Sequence, residues 1–481
     1  MKKYFLLAIG IFILTFSTTL GASLTARLAD LNGPHQINKI AATSLNNADN
    51  SESQGNGSLS PENMRQLSQF GLQGFDLAYS SETTAWAIYK DNQSQARVLG
   101  VNSRYKQFHQ IGLKSGGFLT PRQEYQHVAV IDEKLAQALF QNSNVAGLEL
   151  ELYGRQFKII GVAEDDLSFP GCLTEPEDGT VYLPVKTLLE LDPDSRISTL
   201  EVETKNASPT SHNTDVLKTA LASIGQDAGS FKLIDYNLEY FLMEQKNKLI
   251  NFTAGVIALV LLFGLLKRRV QGIYHFIRFR LQEKYLREVL QEERAGLLTG
   301  LAEILLLAGG MFVIWRLIYF PFYLPPENMP SEPGLSYLSD LLKNNIQAIS
   351  QNGGYLAPPG EIRLDILKTV QNWNFVCNLF LGWPLFYLGL HLIKPTEEKL
   401  FKTEVLASVF LLVALCLSIA LLLLAKMPPA MDTKGVFLVF IALFLAVIAK
   451  DTHGHAPVWY GWRNCPSANA VPEEKSKWQN Q

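Results

Sequence analysis

The chain has 481 residues, with 42 Lys and Arg against 45 Asp and Glu, and hydrophobic residues make up 47% of it. A net charge of −3 gives no reason to expect nucleic acid as a partner. Of the four cysteines only Cys172 lies in the long polar region, so that region cannot hold an internal disulfide. The sequence has no phosphate-binding P-loop, HExxH pair or paired-cysteine motif. We therefore expect a protein that is not an enzyme and that holds no metal or cofactor of its own.

The first apolar run begins directly after Lys2 and Lys3 and extends from Tyr4 to about Ala22. A membrane span needs about 20 mostly apolar residues, and this run is long enough. Its end, TTLGAS, also resembles a signal-peptidase site. Residues 1–22 are therefore predicted to be a transmembrane anchor or a signal peptide, and in either case the residues that follow leave the cytoplasm.

Five further apolar runs predict spans two to six: Leu249–Leu266, about 296–319, about 373–393, about 405–425 and Gly435–Ala449. The last has only 15 residues, so it would cross with its flanking lysines reaching to the headgroups. Eight Lys and Arg lie between 267 and 294, whereas only three lie between 321 and 372. The positive-inside rule therefore places the first of these loops in the cytoplasm and the second outside.

The predicted fold class is an α-helical polytopic membrane protein of about six spans with an inserted α+β extracytoplasmic domain. The predicted parts are the anchor at 1–22, an external domain at 23–246, spans 2 and 3 at 247–320 with a cytoplasmic loop at 267–295, an external loop at 321–372, spans 4 to 6 at 373–450 and a cytoplasmic tail at 451–481. A stretch rich in Asn, Ser and Gly near 41–61 can bury no core and is predicted to be a disordered linker.

Strand and helix patterns fill the rest of the external domain. VAGLELELYGRQFKIIGV, Val145–Val162, alternates apolar and polar residues around a Tyr-Gly-Arg turn, as is typical of a β-hairpin with one buried face. We expect Leu148, Leu150 and Leu152 on that face. VAVIDEKLAQALF predicts a strand and then a helix that Asp132 caps, and NLEYFLMEQKNKL predicts a helix that enters the second span.

The order of these segments resembles the periplasmic core domain of MacB/FtsX-type ABC-transporter permeases. The matching segments are GGFLT, VAVIDEKLAQALF, GLELELYGRQFKIIGV and TVYLPVKTLLEL, within a resemblance that covers about 75–319. The resemblance implies a rigid external head between the first two spans and a location in a bacterial cell membrane. It also implies three kinds of partner besides the lipid bilayer: a separate cytosolic ABC ATPase that binds the ATP, an envelope protein, and a second subunit in a homo- or heterodimer.

The cytoplasmic loop resembles the family segment RRREIGILRALGA, with a turn near Gly272. The residues that the resemblance assigns to ATPase coupling are Arg268, Arg269, Gly272, Ile273 and Tyr274. Val270 replaces the glutamate of that pattern, and Arg278-Phe279 replaces its later Gly-Ala. From the residues alone, apolar positions at helical spacing between charges predict a basic amphipathic helix on anionic lipid. Docking on an ATPase and binding to lipid are thus both open.

Glu303 lies about eight residues into the third span. An ionisable group at that depth is costly and usually faces other helices or water, so we predict a hydrogen bond to a neighbouring helix, with a functional switch as the alternative. The family permeases usually have four spans, and this chain has two more after the fourth. The C-terminal third is therefore either an addition that binds a partner, or the last four spans form a separate module.

The function predicted from the sequence is that of a permease-like subunit in an ABC-type envelope export or mechanotransmission system. It would couple a separate cytosolic ATPase to the external domain. Val270 motivates the alternative, a membrane-anchored envelope sensor or scaffold that kept the permease fold without ATPase coupling.

Overall fold

The computed structural model describes residues 2–45, 57–174, 178–205, 213–282, 285, 291, 294–323, 357–393 and 397–454. Within these ranges six helices are long and apolar enough to cross a membrane. A ten-stranded sheet with short helices lies between the first two of them. The predicted fold class, a polytopic α-helical membrane protein with an inserted α+β domain, is confirmed.

The helices described are α1 Lys2–Leu31, α2 Pro61–Gln66, α3 Tyr105–Phe108, α4 Glu133–Phe140, α5 Phe169–Thr174, α6 Val185–Leu191, α7 Asn213–Ser223, α8 Tyr236–Arg280, α9 Arg294–Ile318, α10 Pro359–Cys377, α11 Trp383–His391, α12 Glu397–Leu424 and α13 Thr433–Gly454. The strands are β1 Lys39–Ser44, β2 Leu77–Tyr89, β3 Asn92–Val101, β4 Leu113–Gly116, β5 Val128–Asp132, β6 Glu149–Leu152, β7 Arg155–Ala163, β8 Gly179–Pro184, β9 Thr199–Glu203 and β10 Phe231–Asp235. A π-helical segment, Asn378–Gly382, joins α10 to α11, so these two helices make one span.

The sheet of the inserted domain, here called the head, has the strand order β10-β1-β9-β2-β3-β8-β5-β7-β4, and β6 pairs with both β2 and β7. β1 follows α1 along the chain and β10 leads directly into α8. These two strands are antiparallel neighbours, with Ile40 opposite Asp235. Both membrane connections of the head therefore leave from the same part of the sheet.

The two faces of the sheet have different surroundings. Neighbouring residues on a strand point to opposite faces. Val98 of β3 is fully buried in the core with Leu188 of α6, whereas Leu99 lines a cavity of about 140 Å³ on the other face. Residues from the ends of α1 and α10 also line that cavity, among them Leu31 and Leu364. One face is thus covered by the head's own helices, and the other faces the membrane bundle.

The predicted hairpin is present as β6 and β7, with Leu150 opposite Phe157. Its turn residues have positive φ angles, 53° at Tyr153 and 69° at Gly154, as the tight hairpin turn requires. Leu150 and Leu152 are fully buried, but Leu148 is 42% exposed, so its predicted burial is wrong. The strand begins only at Glu149, and the amide of Leu148 donates to the Val145 carbonyl in a preceding turn. The alternation therefore does not extend to Leu148.

We expect Leu150→Ala to destabilise the head by about 2–5 kcal/mol, because it removes methyl groups from a packed core and leaves a cavity. Leu148→Ala is the matched control, since the same atoms leave a side chain that solvent already reaches. Both variants are compared by thermal or denaturant unfolding of the full-length protein, with the protease resistance of the head as the readout. Equal effects of the two substitutions would contradict the assigned face.

The predicted linker near 41–61 is corrected at both ends. Residues 41–44 belong to β1, where Ala41 and Ala42 fit closely between β9 and β10. At the other end Leu59 is 1% exposed and pairs with Ile197, and Ser60 caps α2. The apolar residues at the two ends of the polar stretch therefore pack into the head. Residues 46–56 lie outside the described part of the chain.

Several predicted boundaries of the membrane region also shift. α1 continues nine residues beyond Ala22, to Leu31, and the predicted external loop at 321–372 ends in helix from Pro359 onward. The loop predicted at 267–295 is helical up to Arg280, as part of α8. The predicted tail at 451–481 begins as the last turn of α13, and residues 455–481 lie outside the described part. Helices continue past the apolar runs because the residues that follow include good helix formers, Leu, Ala and Arg after Ala22 in α1 and Arg, Lys and Gln within α8.

The C-terminal spans pack into one bundle with α1 and α8. α1 lies against α8, α10, α11, α12 and α13, and α8 lies against α9 and α13. Leu7, Ile11 and Leu14 of α1 are fully buried in the same apolar core as Phe386 of α11 and Ala442 of α13. The last spans are therefore not a separable module.

Candidate functional site

The last part of α8, Lys267–Arg280, is here called the cytoplasmic arm because the sequence places it on the cytoplasmic side. At 45 residues α8 is about 67 Å long, roughly twice the 30 Å of a bilayer core. It begins at Tyr236, directly after β10, and Asp235 of that strand accepts hydrogen bonds from the first backbone amides of the helix. One uninterrupted helix thus connects the sheet of the head with the arm.

Glu303 of α9 forms an ion pair with Arg269 of the arm, with 3.1 Å between Oε2 and Nε. The two side chains are about 40% exposed, and the geometry is that of a charge pair rather than an aligned hydrogen bond. Glu303 is therefore level with the first basic residues after the second span. Its carboxylate neutralises a charge at the edge of the apolar region, as expected for an ionisable group in a span.

Two further contacts hold the arm against its neighbours. Ile273 packs on Gly300 of α9, where a side chain would meet its Cδ1 atom at 2.8 Å. On the other side, Arg268 Nη1 donates to the backbone carbonyl of Ala449 in α13 at 3.2 Å. The next residue, Lys450, donates to carbonyl groups at the end of α11, including that of Leu390. The arm is thus braced by α9 and, through α13, by the half of the bundle that contains α1.

Tyr274 and Gly272, the remaining predicted coupling residues, lie on different faces of the arm. Gly272 lies within the helix, not in the expected turn, and a Cβ there would meet no atom of the described residues within 4 Å. At about 100° per residue it falls between Arg268 and Arg269 around the helix, on the bracing side. Tyr274 is 60% exposed and lies one turn after Val270, which is 47% exposed. Arg268, Arg269 and Ile273 thus brace the arm, whereas Tyr274 forms a free surface with Val270 on the opposite side.

A buried ionic cluster, which was not predicted from the sequence, joins the head to the start of α8. Lys39 of β1 contacts Glu201 of β9 at 2.8 Å and the Phe108 carbonyl at 2.8 Å. His109 Nε2 lies 2.6 Å from the second oxygen of Glu201, and Lys39 lies over the ring of Tyr236, 4.6 Å from its centroid. The side chains of Lys39 and Glu201 are 1% and 5% exposed.

Burial and charge shift the pKa values of all three titratable groups of this cluster in opposing ways. Burial alone would raise the pKa of Glu201, but His109 and Lys39 together lower it to about 2. Burial lowers the pKa of Lys39 and also that of His109, in both cases against the attraction of Glu201. Because an ionised Glu201 carboxylate can only accept, the contact requires a proton on His109 Nε2. The local signal for such a site was Lys39, a charged residue at an inward-facing position of the apolar strand β1.

The outer half of α10 strengthens the same junction. Lys232 of β10 forms an ion pair with Glu361, which is 2% exposed. Further along the helix, Lys368 forms an ion pair with Glu239 of α8 at 3.0 Å. The head, α8 and the extra C-terminal spans are therefore joined by charged contacts where the chain leaves the bundle.

The family model described as "MacB-like periplasmic core domain" matches residues 5–216, which are α1 and most of the head. The predicted resemblance to MacB-type permeases is confirmed. The head is a MacB-like extracytoplasmic domain, and the protein resembles ABC-type transporter permease subunits. The match ends before α8, so it includes neither the arm nor the later spans. No curated protein matches the chain.

The solved structures to which the chain is similar include two transporter domains. The periplasmic region of MacB from Actinobacillus actinomycetemcomitans is 20% identical, with 43% of this chain and 92% of that chain covered and a TM-score of 0.35. The extracellular domain of the noncanonic ABC-type transporter YknZ from Gram-positive bacteria is 17% identical, with coverages of 41% and 100% and a TM-score of 0.30.

Proposed function

We propose that the protein is a permease-like subunit of an ABC-type envelope system, located in the cell membrane, in which a separate cytosolic ATPase acts on the cytoplasmic arm. The single observation that carries this proposal is the continuity of α8 from the MacB-like head to the arm. Work done on one end of a continuous helix reaches the other end without passing through a flexible loop.

The bracing contacts explain how the arm would transmit force. Arg269 and Ile273 fix the arm to α9, and Arg268 fixes it to α13. An ATPase that closes against the free surface around Tyr274 would therefore displace α8, α9 and α13 together. At the other end, Tyr236 and Asp235 connect α8 to β10, so the head would shift relative to an envelope partner. The protein itself would need no catalytic residues.

The free surface of the arm favours a protein partner for a physical reason. Val270 and Tyr274 lie one helical turn apart, and Lys267 and Arg278 are also exposed on this stretch. Exposed aromatic and apolar residues surrounded by basic ones form a surface with an apolar centre and a charged rim, the composition of many protein interfaces. A homo- or heterodimer would bring two such arms to one ATPase pair.

The test uses Tyr274, because its side chain is 60% exposed on the free surface of the arm. If an ATPase docks on the arm, Tyr274→Ala should reduce its recovery in detergent pull-downs about tenfold, and stimulated ATP turnover with it. Phe263→Ala is the matched control, since Phe263 is an exposed aromatic side chain of the same helix within the span. The ATPase is identified by peptides that contain its P-loop.

A second pair of substitutions separates protein docking from lipid binding. Lys267→Gln with Arg278→Gln removes two exposed charges, and each is worth about 1 kcal/mol only if the arm lies on anionic lipid. Docking predicts a mild effect of this double change and a severe effect of Tyr274→Ala. The reverse order would favour a surface helix, and recovery of no ATPase by the wild type would favour the sensor or scaffold.

A further inference from the structure

Three exposed apolar side chains lie together on the short segment that carries α5. Leu167 is 55% exposed, Phe169 43% and Leu173 59%. The neighbouring Pro170 and Gly171 are buried, so the backbone is packed while the apolar side chains point outward. This group is outside the head's own cores, and its members are not needed for the fold of the sheet.

The level of this segment is fixed by a backbone hydrogen bond to the membrane bundle. The amide of Phe169 donates to the carbonyl of Ala425 at 3.1 Å. Ala425 directly follows α12, whose residues Glu404–Leu424 form one of the most apolar spans, with a mean hydropathy of 2.9. Leu424 at its end is 80% exposed. Phe169 therefore lies where an apolar span leaves the bilayer on the side of the head.

Charged contacts hold the segment in this position. Arg27 of α1 bonds Asp166 at 2.8 Å and Ser168 at 2.7 Å. Arg363 of α10 lies 3.7 Å from Asp166 and donates to Thr174 at 2.9 Å. Burial acts to raise the pKa of Asp166, but the Ser168 hydrogen bond and the two arginines lower it overall, so the group stays ionised.

We propose that Leu167, Phe169 and Leu173 insert into the external leaflet of the bilayer and anchor the head to the membrane surface. These three side chains contact lipid rather than another protein because their segment is continuous with the lipid-exposed end of α12. The paired charges of Arg27, Asp166 and Arg363 lie beside the segment at the level of the lipid headgroups. The anchor restrains how far the head can tilt. This inference does not depend on the proposed coupling to an ATPase.

Cys172 is exposed within the same segment and provides the probe. A variant with Cys377→Ser, Cys416→Ser and Cys465→Ser is labelled at Cys172 with an environment-sensitive fluorophore and placed in nanodiscs. Lipids that carry a nitroxide high on the acyl chain should quench this probe strongly. The matched control is a label at Glu190→Cys with Cys172→Ser, because Glu190 is exposed on α6, on the face of the sheet away from the bundle.

Replacement of the three apolar residues by serine (Leu167→Ser, Phe169→Ser, Leu173→Ser) should lower the quenching at Cys172 to the control value. Iodide added to the water should then quench this probe more than before. Retention of the Glu190 signal and of the gel-filtration profile shows that the variant is folded. Quenching at Cys172 no stronger than at Glu190 overturns the proposal, and the face would then meet water or another protein. Quenching unchanged by the three serines overturns it as well.

Discussion

Gly10→Leu is expected to abolish assembly of the membrane bundle. A side chain at Gly10 would lie 2.6 Å from Phe386 Cα, and one at Gly389 would lie 2.5 Å and 2.7 Å from the backbone nitrogen and Cα of Leu7. Real Cβ atoms do not approach backbone atoms this closely, and backbone cannot rotate away as a flexible side chain can. α1 and α11 would therefore separate and open the core around Leu14.

The measured quantity is the amount of monodisperse full-length protein in detergent, read from the peak in fluorescence-detected gel filtration. We expect the peak to be almost lost for Gly10→Leu and for Gly389→Leu. The matched control is Gly309→Leu in α9, because a Cβ at that position meets no atom of the described residues within 4 Å. A normal peak for both Gly10→Leu and Gly389→Leu would mean that α1 does not pack against the C-terminal spans.

Lys39→Met is expected to destabilise the head by about 3–5 kcal/mol, because it leaves the buried carboxylate of Glu201 without its cation. The double change Lys39→Met with Glu201→Met should be much closer to wild type, since it removes both charges at once. Arg65→Met is the control, because Arg65 and Glu62 form an exposed pair at 3.7 Å whose loss should have little effect. Thermal unfolding of the full-length protein ranks the three variants.

The same pair predicts a dependence on pH. The pKa of Glu201 is about 2 in the folded protein against an ordinary value of 4.5. A lowered pKa means that the folded state favours the charged form, so this stabilisation is complete above pH 4.5 and is lost as the pH falls toward 2. The wild type should lose more stability across this window than the double Met variant. Parallel curves would contradict the assigned charge state.

The spans, the hairpin and the helix cap at Asp132 could be predicted from the sequence because each depends on a local pattern. Asp132 accepts from the amide of Leu135 at 2.8 Å, as a cap should. The helix that leads from the head into the second span was predicted and is confirmed as the first part of α8. Its uninterrupted continuation into the arm was missed because the apolar run ends at Lys267, although residues 236–280 contain no proline that would end a helix. Apolar residues at helical spacing, rather than mean hydropathy, were the signal for the arm.

The contacts between distant parts of the chain were beyond local patterns. Lys39 and Glu201 are 162 residues apart, and nothing near either residue indicates the other. The depth of Glu303 suggested a partner on another helix, but only the packing of α8 against α9 identifies Arg269. Likewise the apolar residues around Phe169 become informative only once their backbone is joined to Ala425.

The most direct test of the central claim is photo-crosslinking from the free surface of the arm in living cells. A photoreactive phenylalanine analogue in place of Tyr274, which is 60% exposed, should crosslink to a cytosolic protein that carries the P-loop of an ABC ATPase. The same analogue in place of Ile273, which faces Gly300, should crosslink only within the chain. Crosslinking of Tyr274 to no ATPase, at normal expression and with the internal crosslink from position 273 intact, would contradict the proposed function.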